Sequence, residues 1–302
     1  MKIGLIGLGK MGFHLMENLL DHHIEVVAHD VNIELRAATE QVGATFHDTV
    51  GELIAQLGKE KKIIWLMLPA GEATESVFLE ALNHLQPGDI LMDGGNAHFE
   101  DSKRRYQQAA QKEVAFFDIG TSGGMSGARK GACMMIGGDA ARFAEVEPIF
   151  AAVNVPNGYL YAGESGSGHY LKMVHNGIEY GMMQAIGEGF NLLYHSEYPY
   201  DLEKVASVWN HGSVIRSWLM ELTESLLKKD AEMSDLEGVI PSSGEGRWTV
   251  EEALKKQVAM PVITQALMVR FASSDQEKYG EKVIASLRNE FGGHAIPVRK
   301  GD

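Results

Sequence analysis

The sequence predicts an N-terminal α/β domain built on a parallel sheet, followed by an all-α C-terminal domain. Three observations carry that prediction. Over residues 1–160 short β-rich runs alternate with amphipathic or polar segments, the pattern of successive βαβ units. The first of these runs ends in a glycine-rich turn that opens a helical pattern. From about Ser165 onward the β signal stops and only helical periodicity remains. A chain of 302 residues, 45% of them hydrophobic, exceeds the ~100–200 residues of one domain. We therefore divide it into residues 1–164 and 165–302.

Taken in order, KIGLIG is the first strand and a helical pattern runs from it to Leu20. IEVVAHD follows, then a segment to Gly43, the strand KKIIWLML, a second helical pattern, and DILMDGG. VAFFDIG and ACMMIGG are further strands, separated by the turn-rich TSGGMSGARKG. In the second domain helical periodicity covers residues 166–195, 201–228, 248–272 and 276–290, and the Pro- and Gly-bearing stretch from Gly238 to Gly246 is the main interruption. The chain shows no internal repeat and no low-complexity tract.

Composition excludes several classes of partner. A net charge of −14 argues against nucleic acid and anionic membranes, both of which need a basic surface. No apolar run reaches the roughly 18 residues of a membrane span, and Met1-Lys2 leads straight into a strand pattern, unlike a signal peptide. A soluble, cytoplasmic protein is expected. The single cysteine, Cys133, rules out an intrachain disulfide and, within GACMMIGG, reads as a small buried hydrophobe. The twelve histidines form no HExxH and no zinc-spaced cluster, and His22-His23 reads as a solvated helix end, so no metal is expected. An anionic ligand on so acidic a chain would need a few placed cations, which brings the arginines of the second half into view.

Gly7-Leu8-Gly9-Lys10-Met11-Gly12 fits G-x-G-x-x-G at a strand-to-helix junction, where glycines permit a tight turn and close approach of a pyrophosphate. Alone, such a turn is an ordinary βα connection. Here the second strand ends at Asp30, about twenty residues on, where a carboxylate binds a ribose 2′-hydroxyl. Together they favour a Rossmann-type dinucleotide site. Asp30 would repel a 2′-phosphate and Val31-Asn32 supplies no cation, so NAD is expected over NADP.

The segment HYLKMVHNGIEYGMM poses a second problem. At about 100° per residue, Lys172, His175, Asn176, Glu179 and Tyr180 fall on one stripe of a helix, with His169 at its upper edge. A solvated face is the ordinary reading of such a stripe. The remaining circumference is Leu171, Met173, Val174, Gly177, Ile178, Gly181, Met182 and Ala185, apolar enough to be buried. Gly177 and Gly181 cost about 1 kcal/mol each against Ala, which points to close packing. The polar stripe is therefore expected to line a cleft. Burial there favours a neutral amine and a protonated carboxyl, so one helix could carry both a base and an acid.

GLIGLGKMG, DGGN at 93–96, SGGMSGAR at 122–129, GSGHYLKMVHNGIEYG at 166–181 and GEGRWT at 244–249 together resemble the decarboxylating 6-phosphogluconate dehydrogenases, within the β-hydroxyacid dehydrogenase superfamily. The match is collinear over essentially the whole chain and is most similar to the short bacterial form. It implies oxidation of 6-phosphogluconate by NAD, loss of carbon dioxide and release of ribulose 5-phosphate, in pentose phosphate or gluconate metabolism and without a metal. It further implies Lys172 as base and Glu179 as the final proton donor. Ser122, Gly123 and Gly124 correspond to the turn that holds the substrate carboxylate, and Asn96 to the residue between nicotinamide and substrate. By themselves these read as a turn and a helix cap.

The resemblance also places His175 and Asn176 on substrate hydroxyls, and Tyr180, Arg247 and Arg270 at the phosphate. Arg247 stands where long-form relatives carry lysine, which would make that contact a forked one. In the tail, Arg288 and His294 match residues that relatives contribute to the neighbouring subunit's site, implying a dimer, or a tetramer built from dimers. Arg247, Arg270 and a partner's Arg288 would make a positive pocket on an acidic protein, since local charge dominates within a Debye length of about 8 Å. Two other readings compete. A 3-hydroxyisobutyrate-type dehydrogenase shares the glycine motif, the Ser-Gly-Gly turn and the Lys-x-x-x-Asn pair but needs neither Glu179 nor GEGRWT; a non-catalytic dinucleotide sensor needs only Gly7 to Asp30. An imine-reducing relative would lack Lys172.

Overall fold

The computed structural model describes residues 1–298, and the chain divides into two compact units, 1–177 and 178–302. The first is an eight-stranded sheet. Its strands are β1 (Lys2–Ile6), β2 (Glu25–His29), β3 (Thr45–Phe46), β4 (Ile63–Leu66), β5 (Ile90–Asp93), β6 (Ala115–Ser122), β7 (Ala132–Gly138) and β8 (Asn154–Gly163). Between them lie α1 (Lys10–Asp21), α2 (Leu35–Gln41), α3 (Val50–Gln56), α4 (Glu72–His84), α5 (Phe99–Ala110), α6 (Gly124–Lys130) and α7 (Phe143–Val153). The strand order is β3-β2-β1-β4-β5-β6-β7-β8.

Strands buried on both faces read as continuous apolar runs, and β4, IIWL, has every residue buried. Alternate side chains feed two cores. Ile3, Leu5, Trp65, Met92 and Phe117 belong to one, and Val27, Ile64, Leu66, Leu91 and Phe116 to the other. In α1, Leu15, Met16 and Leu19 recur at helical spacing and complete the first core. That helix ends at Asp21 with His22 as its C-cap, and His23 takes a φ of 60°; both histidines are exposed.

The expected α/β sheet is present, with departures that have local causes. All pairings are parallel except β6 with β7, which run antiparallel. TSGGMSGARKG holds the seven-residue α6, begun by Gly123 at φ 111°, a conformation that L side chains rarely adopt. The two-residue β3 and the strand β8 carry too little alternation to be read from sequence. Cys133 is exposed rather than buried: the side chains of β7 alternate, and Ala132 and Met134 take the core side.

The second unit is helical. The long α8 (Ser167–Tyr194) begins in the first unit, and α9 (Leu202–Asn210), α10 (Trp218–Lys229), α11 (Gly244–Lys256), α12 (Pro261–Ser274) and α13 (Tyr279–Gly292) follow. Two segments expected to be single helices are each divided. Gly212 at φ 87° and the Ser217 cap separate α9 from α10, and Pro261 starts α12 after a four-residue break that follows Lys256, the last residue of α11. The unit buries little in the single chain. Its cores are the small groups Tyr180, Val250, Ala266, Leu267 and Ala206, Met220, Leu227. Leu171, Ile178 and Met182 of α8 are exposed where burial of the apolar girth is expected, while Met173, Gly177 and Gly181 of that girth are buried, and α13 buries no side chain. Among the described residues no helix is long and apolar enough to cross a membrane.

Candidate functional site

Strand order places the end of β1 where the chain leaves in opposite directions, to β2 on one side and β4 on the other, the position at which open α/β sheets bind ligands. Gly7 takes a φ of 97° there, and a Cβ on it would lie 2.8 Å from the Leu68 side chain. A Cβ on Gly12 would overlap the Gly7 carbonyl oxygen. Both positions demand glycine because the turn is folded onto its own helix. Leu8 is buried, Gly9 is the N-cap of α1, and Lys10 and Met11 begin the helix, whose first amides lack intrahelical acceptors and suit a pyrophosphate. Asp30 follows β2 directly. Its Oδ2 accepts from Leu8 N at 2.6 Å and its Oδ1 from Asn32 N at 2.8 Å, so the carboxylate is tied to the glycine turn. Tight turn, helix start and oriented carboxylate fit a dinucleotide with a free 2′-hydroxyl.

Asn96 follows β5 and is exposed. It does not cap α5: His98 does, accepting from Glu100 N at 3.2 Å. The loop that carries Asn96 is held from below. Asp93, fully buried, accepts from Gly95 N at 3.1 Å and pairs with Arg105 at 2.8 Å. Arg105 also reaches Glu75, whose carboxyl the hydrogen-bonded Arg104 guanidinium holds below its ordinary value. Asn96 is thus left outside this network.

Ser122 ends β6, with Gly123 and Gly124 turning into α6. Ser122 Oγ lies 3.1 Å from His175 Nε2, and His175 Nδ1 lies 2.9 Å from Asn176 Oδ1. The candidate carboxylate turn and the candidate hydroxyl-binding pair therefore form one chain of polar contacts. Lys172, one turn earlier on α8, is 7% exposed, and Asn176 is 9%. Lys172, Asn176 and Tyr180 are buried and His175 and Glu179 partly buried, while the apolar Leu171 is exposed, so this polar stripe is not a solvated face. Glu179 and Tyr180 continue the stripe along the same helix, which is unbroken from Ser167 to Tyr194.

In the second unit the structure joins Tyr180 and Arg270. The Arg270 guanidinium lies 3.7 Å from the Tyr180 ring centroid and donates to the Pro241 carbonyl at 2.8 Å. Tyr180 Oη accepts from Ser243 N at 2.9 Å, and Gly246 lies against the ring, where a Cβ would overlap it. Arg270 is 8% exposed, and among the described residues it has no carboxylate partner. A buried cation that, among the described residues, is held by a ring, a carbonyl and the Met183 sulfur is arranged to receive an anion. Arg247 is not brought to this group: on α11 it is exposed and pairs with Glu251 at 3.3 Å. Arg288 on α13 and His294 beyond it are likewise exposed, with Asn289 donating to the His294 carbonyl at 2.8 Å. Ser243 and Pro241 escaped sequence reading because they belong to an interruption between helices, where no periodicity signals a contact. Among the described residues no three His, Cys, Asp or Glu side chains cluster as metal ligands.

Residues 2–161 match the family model for the NAD binding domain of 6-phosphogluconate dehydrogenase, and residues 168–293 match the model for its C-terminal domain. A relative from Haloferax volcanii, an NAD(+)-dependent, decarboxylating 6-phosphogluconate dehydrogenase, is 44% identical across 100% of both chains. YqeC of Bacillus subtilis, provisionally named a 6-phosphogluconate dehydrogenase, is 51% identical over 98% of this chain and 99% of its own. The solved 6-phosphogluconate dehydrogenase of Plasmodium falciparum superposes with a TM-score of 0.84 at 30% identity, over 100% of this chain and 67% of that one.

Proposed function

The chain belongs to the 6-phosphogluconate dehydrogenase family, and from that premise we propose that it oxidatively decarboxylates 6-phosphogluconate to ribulose 5-phosphate and carbon dioxide while reducing NAD. The observation that carries the reading is one helix, α8, bearing Lys172, His175, Asn176, Glu179 and Tyr180 on a single stripe, with Ser122 bonded into it and Arg270 stacked on its end. Residues 1–164 form the dinucleotide-binding part in this reading, and residues 165–302 the substrate and association part.

Gly7 to Gly12 hold the cofactor pyrophosphate and Asp30 its ribose, with Asn96 between the nicotinamide and the substrate. NAD, when bound, accepts the hydride from the substrate's third carbon. Lys172 takes the proton of the 3-hydroxyl as that hydride leaves. The product is a β-keto acid, and the new ketone accepts the electron pair released when the carboxylate departs as carbon dioxide. Protonated Lys172 then donates toward the developing enediolate oxygen. Glu179 delivers a proton to the terminal carbon of the enediol, which gives the ketose. Ser122, Gly123 and Gly124 hold the carboxylate until it leaves, and His175 and Asn176 hold hydroxyls. Tyr180 and Arg270 grip the phosphate, and Arg247 reaches it only by exchanging Glu251 for the ligand.

We place Arg288 and His294 in the site of a neighbouring copy, within a dimer or a tetramer of dimers. The exposed Ile178, Met182 and Leu192 of α8, and an α13 with Val283, Ile284, Leu287 and Phe291 all outward, support such an association. The experiment mixes purified protein with 6-phosphogluconate and NAD, then follows reduced cofactor and carbon dioxide together. Equimolar release is expected. Silence there, with turnover of 3-hydroxyisobutyrate and no carbon dioxide, would overturn the assignment.

A further inference from the structure

We propose that strand β6 sets the position of the base, with Asp118 and Gly120 as positioning residues for Lys172. The inference rests on the reading of Lys172 as the base and goes beyond it. In a strand, residues two apart share a face, so Asp118, Gly120 and Ser122 line one side of β6. Each meets α8 at a different height. Asp118, fully buried, takes the start of the helix: its Oδ1 accepts from Gly166 N at 2.6 Å and from Ser165 Oγ at 3.3 Å, and its Oδ2 accepts from His169 N at 2.9 Å. Gly120 lies beneath Lys172. A Cβ there would overlap Lys172 Cβ, stand 2.8 Å from the Gly168 carbonyl oxygen and 3.2 Å from Lys172 Cγ. Ser122 meets His175, as described above.

These contacts are stiff for a physical reason. Lys172 Cβ and the Gly168 carbonyl belong to the helix frame, so no rotamer change can relieve a methyl placed at Gly120; the helix itself must move. Gly168 closes the same contact from the other side, since a Cβ on it would lie 2.6 Å from the Met135 carbonyl oxygen and 2.7 Å from Gly137 N. Asp118 satisfies two backbone donors that the first turn of a helix otherwise leaves open. An amide in its place could accept from one of them, but its own N–H would then face the other. His169 adds a lateral tie, its Nδ1 standing 2.7 Å from Ser102 Oγ on α5. The base is therefore located by the strand beneath it, through one carboxylate and one absent side chain.

The test uses the full chain with Asp118→Asn, Gly120→Ala and Lys172→Met, each assayed for kcat, KM for 6-phosphogluconate, and affinity and stoichiometry of NAD binding. A displacement on the order of 1 Å at a reacting group costs about 100-fold in rate, so Asp118→Asn and Gly120→Ala are each expected to lose about that much kcat. NAD affinity and stoichiometry stay at the parent values, because the glycine turn and Asp30 are untouched. General loosening of the fold would instead lower NAD stoichiometry and kcat together. An active Lys172→Met would sink the base assignment itself. An inactive Lys172→Met, beside an Asp118→Asn that binds NAD fully and turns over at the parent rate, would overturn this inference. Should Gly120→Ala fail to bind NAD, the isosteric Asp118→Asn decides alone.

Discussion

Arg270→Met separates a cation kept for structure from one kept for substrate. The guanidinium is 8% exposed, stacked at 3.7 Å over Tyr180 and bonded to the Pro241 carbonyl at 2.8 Å, with no carboxylate beside it among the described residues. A desolvated cation–π contact contributes about 2 kcal/mol and a charged hydrogen bond about 1.5–3 kcal/mol. Against that, burying an unpaired charge costs several kcal/mol, so the two sides nearly cancel in the free protein. Methionine matches the stem in volume and asks for no counter-ion. The melting temperature should therefore stay within a few degrees, or rise. Substrate binding should not survive so well: losing a buried charge partner of a phosphate costs about 2–5 kcal/mol, which raises KM for 6-phosphogluconate roughly 30- to 4000-fold. Steady-state kinetics and a thermal melt, each with and without substrate, make the assay. The parent should gain about 2.7 kcal/mol at a hundredfold excess of ligand over Kd, and the variant very little at the same concentration. An unchanged KM, or a collapse in stability with KM intact, would refute the reasoning.

Three further outcomes follow from other parts of the molecule. Arg288→Ala should raise KM for 6-phosphogluconate strongly and leave NAD affinity alone; an unchanged KM would remove the tail from the site. Cys133 sits directly across from Ser122 in the antiparallel β6–β7 ladder, so both side chains share a face. Alkylation of this exposed thiol should weaken substrate binding, and saturating 6-phosphogluconate should slow the alkylation. A fully alkylated protein with the parent KM would place Cys133 away from the turn. Arg142, with Lys61 beside it, holds the Glu145 carboxyl down at about 2, against 4.5 for the free group. Its contribution to stability is therefore complete above pH 4.5 and is lost as the pH falls toward 2. Acid denaturation of Glu145→Gln should lose less stability over that window than the parent, and identical curves would deny the ion pair any weight.

The glycine turn, Asp30 and the stripe on α8 were legible because each depends on short-range geometry. A strand–turn–helix needs glycines at fixed offsets, and a helix repeats every 3.6 residues, so spacing alone places Lys172 and Glu179 on one face. Family resemblance added roles that spacing cannot assign. The breaks at Gly212 and Pro261 were overlooked for an opposite reason: apolar periodicity continues across them, and only backbone geometry shows where the hydrogen-bond ladder stops.

By itself the sequence determined the alternating sheet, the helical second half, the dinucleotide turn and the polar stripe, all consequences of local propensity and period. Tertiary structure alone decided that Cys133 is exposed, that Arg270 rests on Tyr180 under Pro241, that Arg247 turns instead to Glu251, and that Asp118 and Gly120 underlie Lys172. Those contacts join residues far apart in the chain. Their energies depend on which faces meet and on the charges left unpaired there, and no local pattern records either.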